Sequence, residues 1–148
     1  MTTHRLGPDD LTSMDGLLDM FGEAFGERET YGGARPSRDY QRGLLSDPGF
    51  VALAKVAGGC VVGGLVAYQL RKFEQARSEF YIYDLAVAEA HRRRGIATEL
   101  IKRLKTIAAA QNGYVVFVQA DYGDDAAIAL YSKLGAREEV LHFDIAVG

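Results

Sequence analysis

The chain is poor in several features that would declare a chemistry early. It has a single cysteine, Cys60, so no internal disulfide is available, which fits a reducing compartment. No apolar run reaches the roughly eighteen residues that crossing a membrane requires. Residues Met1 to Arg5 lack the hydrophobic segment of a signal peptide, so the expected location is cytoplasmic. No His, Cys and Asp grouping has metal-ligand spacing, and His4, His91 and His142 are scattered, so no metal is expected. No Ser-His-Asp or Cys-His arrangement points to a covalent acyl-enzyme. Neither Gly-x-Gly-x-x-Gly nor the Walker pattern occurs, which excludes the usual dinucleotide and nucleoside-triphosphate loops. Internal repeats, low-complexity tracts and linkers are missing too, so residues 1–148 read as one domain.

What is present is ordinary in bulk and uneven in detail. The chain is 48% hydrophobic and 25% charged, as expected of a globular protein, and its formal charge of −3 argues against a general nucleic-acid binder. Arginines gather at Arg92, Arg93 and Arg94, whereas carboxylates gather at Glu27 and Glu29, at Asp121, Asp124 and Asp125, and at Glu138 and Glu139. One basic pocket beside acidic patches would hold an anionic cofactor and a cationic substrate together. The same distribution also serves as plain solubility charge.

Taken in order, His4 to Gly7 reads as a first strand, and Asp9 or Asp10 as the cap of a helix. That helix carries Leu11, Met14, Leu17, Leu18, Phe21 and Phe25 at three- and four-residue spacing and ends at Gly26. Glu27 to Arg35, with Gly32 and Gly33, reads as a flexible loop. Pro36 or Ser37 starts a short helix through Tyr40, Leu44 and Leu45, stopped by Asp47-Pro48. Phe50–Val56 and Cys60–Leu70 form a hairpin through Gly58-Gly59, and Glu79–Val87 is the next strand. Ile96–Gln111 is a long helix capped by Asn112-Gly113. The nearly all-apolar Tyr114–Gln119 is expected to be a strand buried on both faces. Asp121–Asp125 is an acidic turn whose last aspartate caps a helix over Ala126–Leu134; Gly135 ends it, and Glu138–Val147 supplies one or two closing strands.

The stretch Tyr83-Asp84-Leu85-Ala86-Val87 followed by Arg92-Arg93-Arg94-Gly95-Ile96-Ala97-Thr98 organises the rest. A strand, a basic glycine-containing loop and a helix start aim backbone N–H groups, a positive helix end and guanidinium charges at one place, a site for a polyanion such as a pyrophosphate. Gly95 admits torsions closed to other residues, and the small Ala97 keeps the helix end uncrowded. A solvated basic turn starting a helix would read the same way locally.

Arg-x-x-Gly-x-Ala directly after Asp-Leu-Ala-Val resembles the acetyl-coenzyme A motif of the GNAT N-acetyltransferase superfamily. Ala126-Ala127-Ile128-Ala129-Leu130-Tyr131-Ser132-Lys133-Leu134-Gly135-Ala136 is similar to that superfamily's second signature, a tyrosine-bearing helix ending in glycine. The resemblance runs along the whole chain. Longer strings, Tyr81–Val87, Gln119–Asp125, Lys72-Phe73-Glu74-Gln75 and His142-Phe143-Asp144-Ile145, resemble the aminoglycoside 3-N-acetyltransferases of the gentamicin and fortimicin type.

The resemblance implies an α/β GNAT fold, with a mixed, mostly antiparallel sheet, flanking helices and a splayed central strand pair. It implies acetyl-coenzyme A in the splay, its pantetheine along Leu85, Ala86 and Val87 and its pyrophosphate on Arg92, Arg93, Arg94, Gly95, Ile96, Ala97 and Thr98. A backbone N–H near Leu85–Val87 would steady the oxyanion. The reaction it implies is direct acetyl transfer, in a ternary complex, to the 3-amino group of an aminoglycoside, with antibiotic resistance as the consequence. An ammonium has no lone pair until it loses a proton, and Asp84 is the implied base; as a lone residue it also fits a strand-end aspartate held by backbone N–H groups. Tyr131 is the implied proton donor to the departing thiolate, or otherwise a half-buried helix tyrosine. Asp84, Asp121, Tyr122, Asp124, Asp125, Glu27 and Tyr31 are the implied substrate contacts, with helix capping as the other role of Asp124 or Asp125. Polyamine or protein-amine acetylation, and a catalytically silent acyl-coenzyme A sensor, stand as alternatives. Superfamily members are often dimers, which makes a homodimer an open option with the closing strands as the place for pairing, although no residue demands one.

Overall fold

In a computed structural model, which describes residues 1–148, three helices stand between the first and second strands of one sheet. The elements are β1 (Thr2–Arg5), α1 (Leu11–Ala24), α2 (Arg28–Gly32), α3 (Arg38–Ser46), β2 (Phe50–Ala57), β3 (Cys60–Arg71), β4 (Ser78–Val87), α4 (Ile96–Ala110), β5 (Gly113–Val118) and α5 (Asp125–Leu134), with a 3-10 turn at Glu89–His91. Strands pair in sequence order, β1-β2-β3-β4-β5. All neighbours are antiparallel except β4 and β5, which run parallel because α4 crosses between them. This is the mixed, mostly antiparallel α/β sheet that the sequence resemblance implies.

The sheet is covered on both faces. On one, Ile96, Leu100, Ile101 and Leu104 of α4 pack on Val51, Leu53, Leu65, Phe80 and Ile82. On the other, Met14, Leu17, Met20 and Phe21 of α1 pack on Phe50, Ala52 and Ala54. Alternate residues of β2 therefore feed two cores, which is why its run Phe50-Val51-Ala52-Leu53-Ala54 is apolar without a break. Gly63 and Gly64 let both helices close onto β3: a Cβ on Gly63 would stand 2.8 Å from Ile96, and one on Gly64 would overlap Leu17. Lys55, at the end of this run, is buried and reaches Glu99 at the start of α4, Nζ to Oε2 2.7 Å.

Local signals set most of the boundaries. Ser37 Oγ accepts from the Tyr40 N–H at 3.1 Å and starts α3. The β2–β3 hairpin turns through Gly58 (φ 57°) and Gly59 (φ 78°). Five expectations are corrected. Asp10 precedes α1 but does not cap it; its carboxylate accepts from the Gly7 N–H at 2.7 Å instead. The segment expected to be a flexible loop contains α2, because Tyr31 docks on Phe21 and Phe25, ring centroids 5.9 and 5.8 Å away. Asp124 rather than Asp125 caps α5, accepting from the Ala127 N–H at 3.3 Å. Finally, β5 is not buried on both faces, and 138–147 form no closing strand: Tyr114 and Val115 are exposed, β5 is the sheet's edge, and every residue beyond Tyr131 is exposed.

Candidate active site

The register of β4 against β3 creates the site. Val66 pairs with Asp84 but Ala67 pairs with Ile82, so Tyr83 is an extra residue, a β-bulge. Before the bulge Phe80 and Ile82 point to the α4 core, and after it Leu85 does so again. The bulge therefore brings Tyr83 and Asp84 out together on the α1 side, where a regular strand would alternate them. Tyr83 meets Tyr68 at 5.7 Å and Tyr81 at 5.8 Å, edge to face, and Tyr81 stacks on Phe117 of β5 at 4.7 Å. These tyrosines, with Phe50, Leu44, Asp47 and Arg71, line a cleft of about 980 Å³.

Asp84 is half-buried beside that wall, and the Tyr31 hydroxyl donates to its Oδ2 at 3.0 Å. Burial pushes the Asp84 carboxyl above the usual carboxylate range, the nearby Glu27 charge adds to this, and the Tyr31 hydrogen bond opposes both. The Tyr31 hydroxyl is itself pushed well above an ordinary phenol, first by burial and then by the Asp84 charge, so it stays a donor. Tyr31 and Glu27 lie at the N-terminal side of the fold, and α2 is the element that carries them to Asp84.

The same strand opens a gap. β5 pairs with β4 only from Ser78 to Ile82; it ends at Val118, and Tyr83–Val87 have no partner on that side. The parallel strands thus part where the carboxylate sits. At the mouth of this gap, Arg92, Arg93 and Arg94 are exposed, and Arg92 Nε donates to the Val87 carbonyl at 3.1 Å. Gly95 takes the left-handed conformation (φ 77°) and leads into α4, whose first N–H groups have no acceptor in the preceding turn. A Cβ at Gly95 would meet no atom within 4 Å, so the loop is open there, with Arg92, Arg93 and Arg94 exposed just before it. Arg93 also has positive φ, 63°, a strained geometry that composition does not reveal.

Those features suit an extended ligand with an anionic end: polar backbone on an unpaired strand edge for the arm, and N–H groups with arginines for a pyrophosphate. Acetyl-coenzyme A has that shape, and the residues fit it. Tyr131 lies on α5 against the α4-side core. Burial raises its hydroxyl pKa, and the Asp124 charge adds to this, so it holds its proton near neutral pH.

The remaining sequence candidates are more loosely disposed. Asp121 to Asp125 follow β5 and so lie at the same end of the sheet as the C-terminal end of the parallel β4, yet no hydrogen bond or ion pair joins them to Asp84 or Tyr31. Tyr122 is 81% exposed and donates to Glu139 rather than facing the cleft. Sequence reasoning missed the aromatic wall of Tyr68, Tyr81, Tyr83 and Phe117. The alternation Tyr81-Ile82-Tyr83 was its one signal, and only strand pairing reveals that Tyr68 and Phe117 join it.

Comparison with known proteins agrees with this layout. The family model described as acetyltransferase (GNAT) family matches residues 14–136. An aminoglycoside acetyltransferase from an uncultured soil metagenomic sample is 60% identical over 99% of this chain and 98% of its own, with a TM-score of 0.97. A second aminoglycoside acetyltransferase, also from an uncultured soil metagenomic sample, has been solved with trehalose and with sisomicin. It is 30% and 29% identical in the two structures, over 99% of this chain and 96% of its own, with a TM-score of 0.90 in each. No protein of curated function matches the chain.

Proposed function

The chain belongs to the GNAT acetyltransferase family, and on that premise we propose that it acetylates aminoglycoside antibiotics, at the 3-amino group, with resistance as the outcome. The observation that carries the reading is Asp84, a raised-pKa carboxylate set by the bulge between the β4–β5 gap and an aromatic cleft. Similarity along the full length to aminoglycoside acetyltransferases supplies the acceptor class.

Acetyl-coenzyme A, used by this family in general, supplies the activated acetyl group when bound. Leu85, Ala86 and Val87 would hold the pantetheine arm, and Arg92, Arg93, Arg94, Gly95, Ile96, Ala97 and Thr98 the pyrophosphate. On the other side, an aminoglycoside is a polycation with rigid rings. The tyrosine wall offers ring faces to ammonium groups and sugar C–H bonds, and Asp84, Glu27 and the turn holding Asp121, Asp124 and Asp125 add negative charge. Tyr31 orients Asp84 through its hydroxyl.

Asp84 accepts the proton that the attacking amine must lose. Burial raises its pKa, which makes it a stronger base than an exposed aspartate. A backbone N–H of the Leu85–Val87 edge, which β5 leaves unpaired, would steady the oxyanion of the thioester carbonyl. Tyr131, whose hydroxyl pKa burial raises, would supply the proton to the departing thiolate. Amide formation removes a positive charge from the drug and with it the charge-assisted contacts such molecules make to RNA phosphates.

The test is thiol release from acetyl-coenzyme A with aminoglycosides, polyamines and peptides offered in parallel, followed by NMR location of the acetyl group. Aminoglycosides should be acetylated with the highest kcat/KM and at the 3-amino nitrogen. Turnover with polyamines or peptides alone would overturn the acceptor, and thiol release with none would indicate a sensor.

A further inference from the structure

Tyr31 reaches Asp84 from an element that could not hold that position alone. α2 has five residues, no side-chain cap and no buried residue, and Gly32 and Gly33 end it. The rings of Phe21 and Phe25 seat the Tyr31 ring, but ring packing tolerates sliding, whereas a 3.0 Å hydrogen bond is lost after about half an ångström. α2 approaches α1 closely at Gly22, where a Cβ would stand 3.3 Å from Arg28 Cα. Beside that contact a cleft of about 360 Å³ opens, lined by Leu18, Asp19 and Glu23 on one side and Arg28 and Gly32 on the other. Packing therefore leaves α2 room to shift, and a directional tie has to span the cleft.

Arg35 lines that cleft and supplies the tie. Its Nε donates at 3.1 Å to the Tyr31 carbonyl, which the end of the helix leaves without an intrahelical partner. On the same guanidinium, Nη2 donates to Asp19 and Nη1 stands 4.0 Å from Asp15, both on α1. Asp15 is held in turn: Arg38 grips its two oxygens at 3.0 and 2.7 Å and donates to the buried Gln41 at 2.9 Å. Asp15 and Asp19 stand one turn apart on α1, so both carboxylates face the two arginines that flank the entry to α3. With the Arg35 side chain 29% and that of Asp19 72% exposed, the ion pair adds little stability; what the planar fork supplies is direction.

We propose that Arg35 is a positioning residue for the reaction: by tying the Tyr31 backbone to Asp19 and Asp15 of α1, it sets the depth at which the Tyr31 hydroxyl meets Asp84. This role rests on the reading of Asp84 as the base. None of the Arg35 contacts is with Asp84 or with the tyrosine-lined cleft. The titratable groups around Asp84 are Glu27 and Tyr31 from the α2 side, Tyr68 of β3, and Tyr81 and Tyr83 of β4, so Arg35 works through Tyr31. When the guanidinium lets go, α2 is freed, the hydroxyl withdraws, and Asp84 loses the bond that favours its charged form.

Carboxyl-carbon NMR on the intact chain, without ligand, follows the Asp84 titration directly, and kcat/KM against pH follows its use. Arg35→Gln should raise the Asp84 pKa in the direction of Tyr31→Phe and carry the acidic limb upward with it, with turnover recovered at high pH and the far-UV spectrum unchanged. Asp19→Asn, which leaves Arg35 in place, should move both the same way by less. Action through Tyr31 has a signature: in the Tyr31→Phe background, Arg35→Gln should add no further shift. An Asp84 pKa unmoved by Arg35→Gln would overturn the proposal. So would additive shifts, which would mean that Arg35 acts through its charge alone. An Asp84 titration that moves while the acidic limb stays put would keep Arg35 as the anchor of Tyr31 and remove Asp84 as the base, so the two failures are separable.

Discussion

The Tyr31 hydroxyl reaches across 53 residues of sequence to donate to Asp84 Oδ2 at 3.0 Å. That one bond joins the first helical region to the central strand and stabilises the charged form of a carboxylate that burial otherwise disfavours. Tyr31→Phe should therefore raise the Asp84 pKa further. If Asp84 is the base, the acidic limb of kcat/KM against pH should move upward, with turnover recovered at high pH. An unmoved limb would detach Tyr31 from the chemistry.

Asp84→Asn should lower kcat roughly 100- to 10,000-fold, the usual contribution of a positioned base, and leave the KM for acetyl-coenzyme A nearly unchanged. The same substitution carries a stability signature. Because the folded-state pKa is raised, the native state binds this proton more tightly than the unfolded chain does. Stability then falls as pH rises from the unfolded value through the folded one, and the loss persists at neutral pH. At pH 7 the Asn variant should melt no lower than the parent, and calorimetry at pH 5 and pH 7 checks this.

Arg92→Ala with Arg94→Ala should raise the KM for acetyl-coenzyme A about tenfold or more at low salt, with less effect as salt screens the parent's attraction. Gly95→Ala tests the cradle's backbone instead of its charge. No atom crowds the new Cβ, so its cost is the left-handed torsion, about 1 kcal/mol. Denaturant melts and acetyl-coenzyme A titration separate the two effects.

Asp121→Asn with Asp124→Asn keeps a capping side chain at Asp124, because asparagine caps as well as aspartate does. Helix content should be retained while the KM for a polycationic aminoglycoside rises several-fold and that for acetyl-coenzyme A stays put. Unchanged drug affinity would remove the acidic turn from the binding surface.

Glu99→Gln should cost about 1–2 kcal/mol, less than a fully buried pair, because Glu99 is 46% exposed while its partner Lys55 is not. The Lys55 hydrogen bond holds the Glu99 carboxyl below its ordinary pKa; burial opposes it, and the Thr3 hydrogen bond adds to the lowering. Its contribution is present above the unfolded carboxylate pKa and is lost as pH falls through the lower folded value. Urea melts at pH 7 and pH 3 should show the difference between parent and variant shrinking in acid.

Some of this was legible because its cause is local. The stripe from Leu11 to Phe21, the serine cap at Ser37, the Gly58-Gly59 turn and the glycine before Ile96 each act within a few residues, and each element formed as expected. The short helix α2 was not legible, since Gly32 and Gly33 weaken it locally and its support comes from Phe21 and Phe25. The alternation in 138–147 predicts closing strands, and the structure forms none there. Its failure to pair within this chain depends on where Gly135 directs the backbone.

By itself the sequence determined the basic loop, the order of helices and strands, and the presence of Asp84 beside a strand end, because torsional preference and hydrophobic period are properties of neighbours. Only the tertiary structure decided that Tyr83 is an extra residue, that Asp84 consequently faces Tyr31, and that β4 and β5 part where the carboxylate lies. Register and strand separation depend on groups far apart in the chain, and their energies exist only once the sheet and its helices have closed around them.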